Sequence, residues 1–414
     1  MTPLASYRHL ARLAGPTYVL VAFVGRLPLA MSQLGTLLLV STATDSYGLG
    51  GLSAGALAVA NALGAPVAGT LADGIGQRPV VLVQSLLGAA GLASLVTVVG
   101  SGASAAAVVA AAGATGLVLP QVGPLARVRW RPLTRGTGER QRRLVDAAFS
   151  YEGAADEASF ALGPALVGLS VAVVSPSGAL LLAAVLLAVF GSAFALDPSA
   201  RLAHEEGRSA TPARLVSAAL LVLVGAQLSI GMLFGATQTG ATVLATDAGH
   251  PAVAGLVHAT LGVGSAVAGL ATAYLPERFG HERRALVAAY ALLVLSLPLL
   301  VVGSPATAVP AVLVLGLAVA PYMIAVFSLA ERAVAPARVG AAMTVLASAT
   351  GLGYALGSSI AGRLADESGA SAAFGVTVGA TVLAAVLMGT QQGRLRRATA
   401  PAAPLRAPAP AVAR

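Results

Sequence analysis

Long apolar runs alternate with short charged turns along the whole chain. Twelve runs are long enough to cross a bilayer, a span needing about 20 apolar residues. They cover 16–41, 49–71, 79–100, 104–126, 144–170, 177–196, 215–241, 251–275, 284–303, 306–329, 338–364 and 370–390. Each run is continuous instead of alternating apolar and polar positions, which predicts helices and argues against barrel strands. The first run is too long and too late for a cleaved leader, and further spans follow it. The expected fold is an all-α polytopic membrane protein with twelve transmembrane helices. Composition agrees: 57% of the 414 residues are hydrophobic and 10% charged, with mean hydropathy +0.84, against about 25% charged in a soluble chain.

Charge adds orientation. All 25 basic residues are arginine, and they gather in alternate connections. Arg8 and Arg12 precede the first span, Arg78 follows the second, and seven arginines from Arg127 to Arg143 lie between the fourth and fifth. Arg201, Arg208 and Arg214 mark mid-chain, and Arg394, Arg396 and Arg397 follow the twelfth span. Positive residues mark the cytoplasmic side, so both termini are expected there. The net charge of +9 is then topological, with a share in contacts to anionic lipid, and no nucleic-acid partner is expected. Arginine without lysine, with abundant alanine, glycine and valine, suggests a GC-rich bacterial genome and hence the bacterial cytoplasmic membrane. The chain has no cysteine, no metal-spaced histidine pair, no phosphate-cradling loop and no Ser/His/Asp grouping within the spans. An enzyme, a metal site, a cofactor and ATP drive are therefore not expected.

The polar connection at 198–214 divides the chain into blocks at 1–197 and 215–392, and a Pro/Ala-rich tail at 393–414 is expected to be disordered and cytoplasmic. One turn stands out between the second and third spans: Gly69-Thr-Leu-Ala-Asp73-Gly-Ile-Gly76-Gln-Arg78. Its acid, glycine and base return loosely at Glu277, Arg278 and Gly280 after the eighth span. Its first eight positions return closely at Gly362-Arg-Leu-Ala-Asp366-Glu-Ser-Gly369, at the end of the eleventh. Two duplicated six-helix halves, each with an inverted three-helix repeat, account for this spacing, and secondary transporters are built that way.

These residues resemble the major facilitator superfamily, whose signature Gly-x-Leu-Ala-Asp-Arg-x-Gly-Arg-Arg/Lys is matched at Gly69, Leu71, Ala72, Asp73, Gly76 and Arg78. Gly74 and Gln77 depart from it, and for both a simple turn role is expected. The resemblance implies two pseudo-symmetric six-helix bundles around a substrate path that opens alternately to each side. It also implies a conformational latch in which Asp73 contacts the start of helix eleven and holds the outward-facing state. Gly69, Gly76, Arg78, Glu277 and Arg278 complete the expected latch. An aspartate at a helix N-terminus is favoured by the exposed N–H groups, and helix eleven should begin near Ala335 to Val339.

Charge inside the spans is costly and points to function. Glu152, Asp156 and Glu157 open the fifth run, with Glu152 and Asp156 about 40° apart on one helix face and Glu157 about 100° from Asp156. The acids are cytoplasmic if helix five starts near Phe160, but Phe160 to Val174 alone is too short to span, which favours embedding. Arg26 lies at similar depth in the first run, and a buried arginine needs a carboxylate, so it is expected to pair with Glu152 or Asp156. Such a pair either holds two helices together or couples protons to conformation. Farther along helix five, Gly163, Pro164 and Gly168 resemble the motif of proton-coupled drug antiporters, whereas Ser159 and Val167 depart from it, and the same residues also fit an ordinary kink. The arginine those antiporters carry inside helix four has no counterpart in the uncharged 104–126. Trp130 reads as an interface anchor in the cytoplasmic connection. His258, in the eighth run, reads as a packed polar group, and His250 as a loop residue.

By resemblance, helices one, four, seven and ten line the substrate cavity, and Gln33, Gln121, Gln227, Gln238 and Tyr322 are its candidate polar residues. Aromatics make up 4% of the chain, so no stacking box for sugars is visible. The expectation is a monomeric secondary transporter that exports a small solute in exchange for protons. Uptake of a metabolite is the alternative, and a non-transporting sensor or scaffold a remote one.

Overall fold

The computed structural model describes residues 3–208, 217–249, 253–276 and 279–399. Among them every regular element is a helix. The twelve spans are Pro16–Thr44, Leu49–Ile75, Gln77–Gly100, Ala105–Leu133, Arg135–Val173 and Pro176–Leu196, then Ala218–Ala245, Val253–Tyr274, His281–Val301, Pro305–Ala333, Pro336–Ala365 and Glu367–Thr399. They are numbered helix one to helix twelve in that order. Twelve crossings bring the first and last described residues to the same face, called the termini face below.

Proline and glycine set the interruptions. Helix one breaks at Gly25–Arg26, between Pro16–Val24 and Leu27–Thr44, where Pro28 has no N–H to continue the ladder. Helix four breaks over Leu119, Pro120 and Gln121 and then resumes as Val122–Leu133. It therefore ends seven residues beyond the expected boundary at 126. The connection expected at 198–214 contains a further helix, Ser199–Arg208. Helix twelve continues past 392 to Thr399, and the rest of the tail lies outside the described residues. Gly76 and Gly369, the matching glycines of the repeated turn, take φ of 97° and 72°, a backbone that side chains disfavour. That part of the repeat is turn geometry.

Helices one to six and seven to twelve form two bundles, and the apolar core of the second takes in Val145 and Phe149 of helix five across the seam. Their internal crossings match. Gly116 in helix four lies on the Leu57 carbonyl of helix two, and Gly64 lies on Leu117. In the second bundle Gly316 of helix ten lies on the Leu261 carbonyl of helix eight, and Gly264 lies on Leu313. A side chain at any of the four would strike backbone, so small residues let these helices touch. The bundles meet where helix two packs on helix eleven and helix five on helix eight.

Candidate functional site

The first bundle holds a charge cluster built on the two breaks. Arg26 sits at the break in helix one, 5% exposed, and pairs through Nη2 with Glu152 Oε2 of helix five. The other oxygen, Glu152 Oε1, accepts the indole N–H of Trp130 at 2.5 Å. One turn along, Asp156 Oδ1 lies 3.5 Å from Arg26 Nη1, and Asp156 Oδ2 lies 2.8 Å from Arg127 Nη1. Gly123 leaves room for that carboxylate, since a Cβ there would meet Asp156 Oδ1. Tyr18 packs edge-on against Trp130 at 5.5 Å between ring centres. Two arginines thus face two carboxylates, and removing one partner of a buried pair costs about 3–5 kcal/mol. Glu152 is fully buried with both oxygens occupied, whereas the Asp156 side chain keeps 18% of its surface open. Of the two, Asp156 is the more accessible to solvent.

Two expectations about helix four, and one about the turn at Gln77, are corrected here. The helix is charged: Arg127 and Arg129 are 2% and 0% exposed, well inside what had read as a cytoplasmic connection. Trp130, 1% exposed, is a core residue and a donor to Glu152, not an interface anchor. Gln77 also does more than turn the chain. Its Oε1 accepts from Arg129 Nε at 2.9 Å, and its Nε2 donates to the Leu125 carbonyl at 3.3 Å. Arg129 also donates to the Phe194 carbonyl at 2.8 Å and to Ser199 Oγ at 3.1 Å, and it stacks on Phe194. The cause is the break at Pro120. It carries the helix onward under the cluster, and the two arginines, about 200° apart, find acceptors on opposite sides.

A second group closes the seam between bundles at the termini face. Asp73 Oδ1 accepts the Gly340 N–H at 3.1 Å, and Asp73 Oδ2 accepts that of Ala341 at 2.9 Å. Both donors belong to the first turn of helix eleven, whose unpaired N–H groups favour an anion. Gly69 lies on Thr344 of the same helix. Farther along the seam, Asp146 pairs with Arg332 Nη2 at 2.7 Å and His281 Nε2 at 3.1 Å. Arg131 pairs with Glu331 at 3.0 Å, and the Arg127 guanidinium lies 4.3 Å from the Phe327 ring centre. Tyr7, in the N-terminal helix Pro3–Ala14, donates to the Leu270 carbonyl at 2.8 Å. Asp146, His281, Glu331 and Arg332 escaped the sequence reading because charges near span ends read as topology. Arg78 makes none of these contacts, and Glu277 and Arg278 lie outside the described residues.

The other candidates are spread through the fold. Glu157 turns away from the cluster toward helix eight. Gly163 lies against Ala30 and Met31 of helix one, close to Arg26, while Pro164 and Gly168 are exposed. Gln33 is exposed, and Gln121 donates to Asn61 Oδ1 at 2.7 Å within its own bundle. Gln227 and Tyr322 are fully buried in the second bundle, and the Tyr322 hydroxyl donates to the Ala226 carbonyl at 3.3 Å. Gln238 is exposed and accepts the Tyr354 hydroxyl. The His258 side chain and His250 lie outside the described residues.

Twelve spans in two matched bundles, with buried charge in one and a seam closed at one face, define a polytopic membrane protein of transporter architecture. The chain belongs to the Major Facilitator Superfamily, which its sequence matches over residues 18–314 and, overlapping, 223–412. In fold it is similar to the human organic anion transporter TETRAN, with 22% identity and TM-score 0.67 over 90% of this chain and 100% of that one. It is also similar to a bacterial homologue of the iron transporter ferroportin in an outward-facing state, with 14% identity and TM-score 0.72 over 90% and 98%. A third similar structure is the E. coli fucose:proton symporter, with 14% identity and TM-score 0.62 over 90% and 98%. Identities this low speak for fold alone. No curated protein sequence matches the chain.

Proposed function

We propose that the protein is a secondary transporter of the bacterial cytoplasmic membrane, with both termini cytoplasmic, that exports a small solute by alternating access in exchange for protons. It acts as a monomer and without a cofactor. The observation that carries this reading is Asp156, a partly open carboxylate held between Arg26 and Arg127 inside the membrane span. An acid there can exchange a proton, and two fixed arginines make its charge matter to the helices that hold them. Glu152, with both oxygens engaged, anchors Arg26. The close packing of Gly163 on helix one ties the Gly-Pro segment of helix five to the same cluster and supports the export direction. Arg127 supplies, from helix four, the kind of buried arginine that the antiporter resemblance calls for.

Purified protein in liposomes with an imposed pH gradient, screened against a solute panel, tests this. Gradient-driven movement is expected, inward-directed protons moving solute outward. Asp156→Asn should abolish uphill movement while leaving solute exchange. Wild-type accumulation by Asp156→Asn would remove the acid from the mechanism, and proton-driven entry of the solute would replace export by uptake.

A further inference from the structure

Helix four breaks where a proline stands, but proline alone does not account for the break. Helix ten carries Pro321 and runs unbroken from Pro305 to Ala333. The difference lies on the helix that crosses each of them. In the first bundle, Asn61 of helix two stands four residues beyond Leu57, whose carbonyl meets Gly116. In the second, Ser265 of helix eight stands four residues beyond Leu261, whose carbonyl meets Gly316. Ser265 is fully buried, and its hydroxyl bonds to nothing on helix ten. Asn61, also buried, spends its whole amide on the break. Its Nδ2 donates to the Gly116 carbonyl at 3.1 Å and to the Leu119 carbonyl at 2.9 Å, and its Oδ1 accepts from Gln121 Nε2 at 2.7 Å.

In an unbroken helix the N–H of residue 120 would donate to the Gly116 carbonyl, and Pro120 has none to give. The Leu119 N–H reaches that carbonyl only at 3.3 Å. Leu119 itself is extended, with ψ of 126°, which takes its own carbonyl out of the ladder. The Asn61 amide thus brings a donor to both buried carbonyls from another helix. Two carbonyls require the NH2 end of the amide and Gln121 meets the oxygen end, so its orientation is fixed. Arg127 and Trp130 lie six and nine residues past Gln121, about 9 and 14 Å along the helix. A change of about 20° in direction at the break would carry Trp130 about 5 Å, out of reach of Glu152. We infer that Asn61 is the positioning residue of the Arg26 cluster: it fixes how helix four resumes after Pro120, and so aims Arg127 at Asp156 and Trp130 at Glu152. Its bearing on transport rests on the reading of Asp156 as the coupling acid.

Trp130 is the single tryptophan of the chain, so its emission and its quenching by acrylamide report on the cluster without any solute. In lipid nanodiscs, Asn61→Leu, similar in size but unable to bond, should shift the emission. It should also raise the quenching constant at least about threefold, as the indole leaves Glu152 and the site loosens. Asn61→Ser, the residue that helix eight carries, should act the same way and serves if the leucine variant does not fold. Pro120→Ala alone should keep the parent signature, because Asn61 remains. In Asn61→Leu with Pro120→Ala, the new N–H can pair the Gly116 carbonyl. The melting temperature should then rise toward the parent while the Trp130 signature stays displaced. A role in stability alone predicts Trp130 unmoved in the folded Asn61 variants, or restored together with the melting temperature. Either result overturns the inference, as does a Pro120→Ala protein that by itself reproduces the Asn61→Leu signature. Asp156→Asn in the liposome assay separates the two readings. If it accumulates solute as the parent does while the Asn61 variants displace Trp130, the coupling reading fails and the positioning stands. If it loses uphill movement while the Asn61 variants leave Trp130 in place, the positioning fails and the coupling reading stands.

Discussion

The contact between Asp73 and helix eleven is the most exposed part of the closed seam to a single substitution. Asp73→Asn keeps the shape of the side chain but removes its charge and one acceptor oxygen. The two N–H bonds, at 3.1 and 2.9 Å, are charge-assisted, and bonds of that kind contribute about 1.5–3 kcal/mol each. Losing one, weakening the other and removing the favourable placement at the helix N-terminus should weaken closure by about 2 kcal/mol, or roughly 30-fold in the open population. Thr344 offers the assay. It is 1% exposed, packed against Gly69, and its hydroxyl bonds only to carbonyls of its own helix, so Thr344→Cys is a mild replacement. With no other cysteine in the chain, the rate of maleimide labelling reports how often the seam opens. Asp73→Asn should raise that rate by about the same factor of 30 if opening limits labelling. Gly340→Ala should act in the same direction, because a Cβ at Gly340 would press on the Asp73 carboxylate. A labelling rate for Asp73→Asn within about threefold of the parent, against the roughly 30-fold worked from the bond energies, would refute the lock.

Other substitutions probe the cluster and the bundles. Arg26→Met leaves Glu152 buried against Trp130 alone and should cost about 3–5 kcal/mol, read as a lowered melting temperature; adding Glu152→Gln should restore much of it. Trp130→Phe keeps the ring contact with Tyr18 but drops the N–H to Glu152, a loss of about 1–3 kcal/mol measurable in the same melts. Gly116→Ala and Gly316→Ala should each cost about 1–3 kcal/mol through overpacking, and similar losses at the two sites would show that the matched crossings carry matched loads. Asp146→Asn strips Arg332 and His281 of their carboxylate and should speed labelling at Thr344→Cys with little change in melting temperature, since the seam opens without unfolding either bundle.

Much of the site was legible because membrane burial leaves charge few options. Arg26 could be matched to helix five by depth alone, and the structure gives it Glu152 as partner. Asp73 could be placed at helix eleven because the family resemblance implies that contact, and a helix start with unpaired N–H groups suits an anion. Arg127, Arg129 and Trp130 were misplaced because a count of apolar residues ends a span at the first charge. Pro120 bends the helix instead of ending it, and the arginines beyond it are buried against acceptors from other helices. Gln77 was undervalued for the same reason: its partner Arg129 is distant in sequence and was assigned to solvent.

The sequence by itself determined the number of spans, the helical class, the division into halves and the membership of the family. Each follows from local properties, namely apolar length, turn glycines and repeated motifs, which need no knowledge of neighbours. Only the tertiary structure decided which charges are compensated. It separated Glu152 and Asp156, held by arginines, from Glu157, which no cation pairs with among the described residues, although the three stand within six residues. It also decided that the seam is shut at the termini face through Asp73, Asp146 and Arg131. The physical reason is that a charge in a low-dielectric interior is governed by what lies within a few ångströms, and in this fold those neighbours come from other helices and, along the seam, from the other bundle.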